Sequence, residues 1–118
     1  MNKSLKILKE NKKKWLCYFA HPYIANVVPN LKLGIQRTNE LLTLGYNILS
    51  PIVHSHYLEE HAPRGNAFWY GFDLILLEKC DCIILAPEWE SSNGCLIEQR
   101  FCEVKKIPIY HYEDVINI

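Results

Sequence analysis

Cys82-Ile83-Ile84-Leu85-Ala86 is an uninterrupted apolar run that passes directly into Pro87-Glu88-Trp89-Glu90-Ser91-Ser92-Asn93-Gly94, a stretch with the composition of a loop leading to a helix N-cap. A short run with no polar alternation is the signature of a strand buried on both faces, as parallel sheets require. The run Trp15-Leu16-Cys17-Tyr18-Phe19-Ala20 has the same character and ends in a loop containing His21, Pro22 and Tyr23. Between the two, Leu31, Ile35 and Leu42 fall near a helical spacing that Gly45 stops, so one amphipathic helix is expected there. Tyr46 to Ile52 predicts a short second strand closed by Pro51, and residues 53 to 66, without periodicity, predict a long functional loop. Phe68, Phe72, Ile75 and Leu76 define the expected buried stripe of a second helix, with Trp69 and Asp73 on another face. Asp81 ends the turn into the 82–86 strand. A third helix then runs to about Lys106, and Ile107 to Tyr110 predicts a fourth strand. The tail from Glu113 to Ile118 fits a short helix or a fifth strand equally.

Strands and helices in that order, with apolar rather than alternating strands, call for an α/β fold. Its parallel sheet of four or five strands is covered on both faces, because parallel connections need crossover helices. Ligands in such sheets bind outside the carboxyl ends of the strands, where the segments after Ala20, Pro51 and Ala86 arrive.

The 118 residues, 49% apolar, suffice for one continuous core and predict a single domain over residues 15–118 behind a basic leader, residues 1–14, read as solvated or as a short helix. Thirteen basic residues balance thirteen acidic ones, which leaves no net field for a nucleic-acid polymer or an anionic membrane. No apolar stretch approaches the ~18 residues of a membrane span. Cys17, Cys80, Cys82, Cys95 and Cys102 are odd in number and mostly inside apolar runs, the pattern of a reduced, cytoplasmic protein.

Chemistry concentrates in Ser91-Ser92-Asn93-Gly94-Cys95-Leu96-Ile97-Glu98, a hydroxyl-rich loop opening a helix after a buried strand. The free amides of such a helix start can hold an anion, and its positive end favours an ionised Glu98, as a carboxylate nucleophile requires. Taken alone, Glu98 reads equally as a solvated or capping residue and Asp73 as a solvent-facing one. Together, on helices that both start at the loop edge, they can converge above the first and third strands and act as nucleophile and proton handler beside a sugar. His54, His56 and His61 complete no recognisable metal spacing with a Cys or carboxylate, and Cys80-x-Cys82 lacks a second pair, so no metal is expected.

Tyr18-Phe19-Ala20-His21-Pro22-Tyr23, Ser50-Pro51, Trp69-Tyr70-Gly71-Phe72-Asp73, Cys80-Asp81-Cys82-Ile83-Ile84-Leu85 and Ser92-Asn93-Gly94-Cys95-Leu96-Ile97-Glu98 together resemble the nucleoside 2-deoxyribosyltransferase superfamily. The likeness is to its compact phage and bacterial branch, related to the 2'-deoxynucleoside 5'-phosphate N-hydrolases, and covers residues 16 to 110. It implies a flavodoxin-like, Rossmann-like three-layer fold, Glu98 as covalent nucleophile and Asp73 as the assisting carboxylate. The implied activity is double-displacement cleavage of the N-glycosidic bond of a nucleoside or its 5'-monophosphate: water gives hydrolysis, another base gives transfer. Tyr18, His21 and Tyr23 become substrate contacts on this reading, although Tyr18 and Tyr23 also fit as core aromatics capped by one hydrogen bond. Trp69 and Trp89 border the expected pocket, with Trp89 placed to stack a base. Ser91, Ser92 and Gly94, with Arg37 or Arg64, offer a monophosphate pocket, so monophosphates are expected to be preferred to nucleosides. No cofactor is implied. The aromatic content, seven Tyr, four Phe and three Trp, exceeds what one small core comfortably hides, so a two-fold homodimer through the helices near Phe68 and Gly94 is expected. A base-exchanging transferase and a silent nucleotide-binding sensor are the competing functions.

Overall fold

The computed structural model describes residues 1–118. Four strands, β1 (Leu16–Ala20), β2 (Asn47–Leu49), β3 (Cys82–Leu85) and β4 (Ile109–His111), form one parallel sheet in the order β2-β1-β3-β4. Six helices surround it: α1 (Lys3–Glu10), α2 (Val27–Thr43), α3 (Pro51–His61), α4 (Asn66–Glu78), α5 (Asn93–Lys105) and α6 (Tyr112–Val115). The architecture is the three-layer, flavodoxin-like α/β arrangement, and the open tail is a helix. No helix is long and apolar enough to cross a membrane.

Side chains alternate along a strand, so each central strand divides its residues between the two covered faces. Cys17 and Phe19 of β1 join Cys82 and Ile84 of β3 in one core, closed by Leu8 of α1, Leu41 of α2 and Tyr112 and Val115 of α6. Tyr18 and Ala20 join Ile83 and Leu85 in the other, against Leu77 of α4 and Cys95 and Cys102 of α5. The central strands are tied at both ends. Asp81 Oδ2 accepts from Leu16 N at 2.8 Å, and Ala86 N donates to Ala20 O at 2.9 Å. The carboxyl edge where the chain turns toward α5 is therefore held in register with the end of β1.

Several expected elements differ. Residues 53–66 are not a long loop: α3 occupies Pro51–His61 and only four residues separate it from α4. Pro51 stands at the start of α3, where its missing N–H costs nothing, so it opens a helix rather than closing a strand. The helical period is erased because α3 buries Ile52, Ser55 and His56 while Val53, Tyr57 and Leu58 are exposed. In α2 the inward stripe is Leu31, Gly34 and Leu41, whereas Ile35 and Leu42 are about half exposed. Gly34 is needed there because a Cβ would lie 2.7 Å from Ile52 Cδ1. In α4 the fully buried residue is Leu77, while Phe68 and Ile75 face outward. That helix is apolar on nearly every side, so periodicity could not choose its inner face.

The basic N-terminal segment is a helix, not a solvated strand of charge: Asn2 Oδ1 caps it by accepting from Leu5 N at 2.8 Å, and Leu8 is fully buried. Leu8→Ala is expected to cost ~2–5 kcal/mol, the range for emptying a leucine site in a closed core. Urea unfolding measures it, and a loss below ~1 kcal/mol would mean that α1 merely rests on the domain.

Candidate active site

A cleft of about 680 Å³, open mouth included, lies beyond the carboxyl ends of β1 and β3. Its mixed apolar and polar wall suits a small organic ligand. Phe19, Ala20 and His21 form its strand edge, Ile52, Ser55 and Glu59 come from α3, Trp69, Tyr70 and Asp73 from α4, and Ser92, Gly94, Cys95 and Glu98 from α5. A second chamber opens beside it. Tyr23, Ile24, Asn66, Tyr70 and Ser92 line both.

Glu98 anchors the floor. The Tyr18 hydroxyl, on the sheet face that α5 covers, donates to Glu98 Oε2. Tyr18 is fully buried and lies beneath the cleft rather than in its wall. Burial first, and then the negative neighbour Asp73, push the Glu98 carboxyl up to about 8, with the Tyr18 bond acting in the opposite direction. Burial alone raises Asp73 to about 7. The phenol of Tyr18 is raised well above its ordinary value by burial and then by the charges of Glu98 and Asp73. Both carboxyls are thus shifted toward the neutral form near neutrality. The helix end was expected to hold Glu98 ionised. Glu98 sits beyond the first turn of α5, where the dipole has faded, and desolvation prevails.

The other expected residues separate into three groups. His21, Tyr23, Trp69, Ser92 and Gly94 line the cleft with Asp73 and Glu98. Ser91 lines only the second chamber, its hydroxyl donating to Glu88 O at 2.7 Å. Trp89 lies outside both walls: its ring packs on the second core and stands 6.2 Å from that of His111, so it is not placed to stack a ligand in the cleft. The 89–91 stretch coils into a short 3-10 turn that folds the indole back onto the sheet.

Local bonds define what the wall can offer. Arg37 only donates, so its Nη1 at 3.0 Å makes His21 Nε2 an acceptor, and Nδ1–H then donates to Pro22 O at 2.8 Å. His21 is therefore a neutral wall residue with both nitrogens engaged, in keeping with the downward shift that burial imposes. Arg37 also faces Glu88 at 3.6 Å, while Arg64 donates to Ala62 O and sits over the Phe68 ring. Neither arginine lines the cleft, and neither chamber's wall contains Lys or Arg. Ser92 Oγ accepts from Cys95 N at 3.2 Å, which occupies one amide of the expected anion site. Gly94 allows Tyr70 to lie against α5, since a Cβ there would be 3.3 Å from Tyr70 Cε1.

Sequence reasoning missed Ser55, Glu59, Asn66 and Tyr70 as cleft residues. Glu59 accepts from Arg64 N at 2.6 Å and from Trp69 Nε1 at 2.9 Å, bonds that hold its carboxyl below the ordinary range. Reading 53–66 as a loop hid the α3 residues, although a proline after a serine is a usable helix-start signal.

The chain is thus a three-layer α/β protein with a carboxyl pair and a tyrosine at the floor of its carboxyl-edge cleft. Within that class the chain belongs to the family described as Domain of unknown function (DUF1937), which matches residues 16–114, from β1 into α6. No curated protein matches the chain.

Both floor carboxyls have folded values above their unfolded ones, near 4. The stability that goes with their neutral forms is thus complete below that range and lost as pH rises through about 7 to 8. Glu98→Gln is expected to stabilise the chain at pH 9 by on the order of 1–3 kcal/mol and to do much less at pH 5. Thermal unfolding at the two pH values checks it. The same increment at both would show that no neutral carboxyl is buried there.

Proposed function

We propose that the chain cleaves the N-glycosidic bond of a nucleoside or nucleoside 5'-monophosphate through a glycosyl ester on Glu98. The observation that carries this reading is the Tyr18–Glu98 bond at the floor of a cleft shared with Asp73. Glu98 attacks the anomeric carbon in its ionised form while Asp73 takes up the proton that the pair retains. The Tyr18 hydroxyl aims the attacking carboxylate and disperses its charge. Water then resolves the ester, giving an N-glycoside hydrolase, and a second base in its place would give a deoxyribosyltransferase. The absence of basic side chains from the walls favours an uncharged nucleoside over its monophosphate. A silent sensor would gain nothing from holding two desolvated carboxyls at the floor. The five unpaired, buried cysteines fit a reducing cytoplasm.

Incubation with a panel of nucleosides and monophosphates, read as free base by chromatography, tests the reading directly. Glu98→Gln is expected to lower kcat by about three orders of magnitude while leaving the fold intact. Near-normal turnover by the folded variant would reject Glu98 as nucleophile.

A homodimer accompanies the proposal. Phe68, Phe72 and Ile75 share one side of α4, and His54 of α3 stacks on Phe72 with ring centroids 5.8 Å apart, extending an apolar, aromatic surface next to the cleft. Light scattering is expected to give twice the 13.8 kDa chain mass at micromolar concentration, and Ile75→Glu to halve it. A monomer mass for the unaltered chain, with and without ligand, would remove the dimer.

A further inference from the structure

The two histidines of His54-x-His56 go to different partners. His54 lies flat on Phe72, whereas His56 is buried and faces Tyr23. Tyr23 Oη and His56 Nδ1 are 2.6 Å apart, and His56 Nε2 is 3.2 Å from Glu60 Oε1. Glu60 is largely exposed, so the three side chains form a continuous path from bulk water, through a buried imidazole, to a hydroxyl in the cleft wall. Nothing in the floor chemistry of Tyr18, Asp73 and Glu98 uses this path.

Its position suggests what it serves. Glu98 lines the first chamber only, and Tyr23 stands where the first chamber meets the second. A nucleophile at the floor displaces a leaving group on the opposite side of the anomeric carbon, toward that junction. The second chamber is lined by Asn26, Asn30, Asn66, Asn93, Ser91 and Ser92 beside Glu88, a mostly uncharged polar wall suited to the edge of a heterocycle.

We propose that Tyr23 is the catalytic residue that protonates the departing base, and that His56, with Glu60 as its counter-ion, is the positioning residue that refills it. The inference rests on the glycosidase reading above and assigns the leaving-group proton within it. In the first half-reaction the C1'–N bond breaks with its electron pair passing to the base nitrogen, and a Glu98 oxygen forms the new bond to C1'. The Tyr23 hydroxyl proton moves to that nitrogen, and the Nδ1 proton of a His56 imidazolium replaces it. In the second, a water oxygen adds to C1' from the vacated side as the bond to Glu98 breaks and its pair returns to the carboxylate. The proton released by that water passes to Tyr23 and back to His56. One nucleoside and one water become one sugar and one base, and the enzyme is restored. Burial, followed by the negative charges of Glu60 and Glu59, raises the Tyr23 phenol, so its proton is present when the bond breaks.

The test compares nucleosides with 4-nitrophenyl riboside and 4-nitrophenyl 2-deoxyriboside, whose phenolate leaves without needing a proton. Tyr23→Phe and His56→Gln are expected to slow single-turnover release of base from nucleosides by ~10²–10³-fold, the range for a lost general acid, and the single-turnover burst of nitrophenolate, which reports the first half-reaction alone, by less than about threefold. A retained burst also reports that the variants are folded. Equal losses on both substrate types, or no loss on either, would overturn the assignment and leave Tyr23 as wall. Failure of the unaltered chain to release base or nitrophenol from any substrate would instead remove the glycosidase reading, and this step with it.

Discussion

A carboxyl group can be taken out of water only if something inside the protein replaces the hydrogen bonds it gives up, and Glu98 depends on Tyr18 for that replacement. The strand supplies the partner through its period. Tyr18 points to the α4 and α5 side because Cys17 and Phe19 point to the other, and a shift of β1 by one residue would reverse every one of them. The Asp81 bond to Leu16 N and the Ala86 bond to Ala20 O resist that shift at the two ends of the strand pair. Sheet register and floor chemistry are thus one constraint.

The floor also works against stability. Two desolvated carboxyls within one another's field favour neutrality, and every increment of charge above neutral pH must be accommodated by a site built to exclude water. Such locally unfavourable groups persist where the surrounding structure over-determines them. Here the surroundings are two fully apolar central strands and the helices packed on both faces.

The sheet was legible because 82–86 and 15–20 are apolar without interruption, which happens when both faces are covered. The floor was legible because Asp73 and Glu98 lie on helices that both begin at the carboxyl edge of the sheet. What failed to show has a common cause. α3 buries the polar Ser55 and His56 beside Ile52 while the apolar Val53, Tyr57 and Leu58 face out, so the mix of polar and apolar residues on both sides erases the pattern that a periodicity reading seeks. The same mixing on α4, with Asp73 inward and Ile75 outward, misassigned its buried stripe. Ligand-facing helices break the amphipathic rule wherever the ligand is polar and the outer face meets another apolar surface. Trp89 misled for a different reason: adjacency to a site-forming loop does not reveal which way a short 3-10 turn will direct an indole.

The charge of the walls gives the site a direction. Glu59, Asp73 and Glu98 line the first chamber and Glu88, paired with Arg37, the second, and neither wall contains Lys or Arg. On the proposed chemistry, a nucleoside would enter such a cleft without charge and gain little from it. On that chemistry, positive charge develops on the sugar as the glycosidic bond stretches, and the ionised Glu98, indifferent to the ground state, becomes attractive. An interaction absent from the bound substrate and present at the transition state is the kind that raises kcat rather than lowering KM. The same field acts against a phosphate from the moment of entry. On the proposed chemistry, catalysis and the preference for an uncharged substrate therefore come from one arrangement, in which the cations nearest the cleft are held back, Arg37 by His21 and Glu88 and Arg64 by the Ala62 carbonyl and the Phe68 ring.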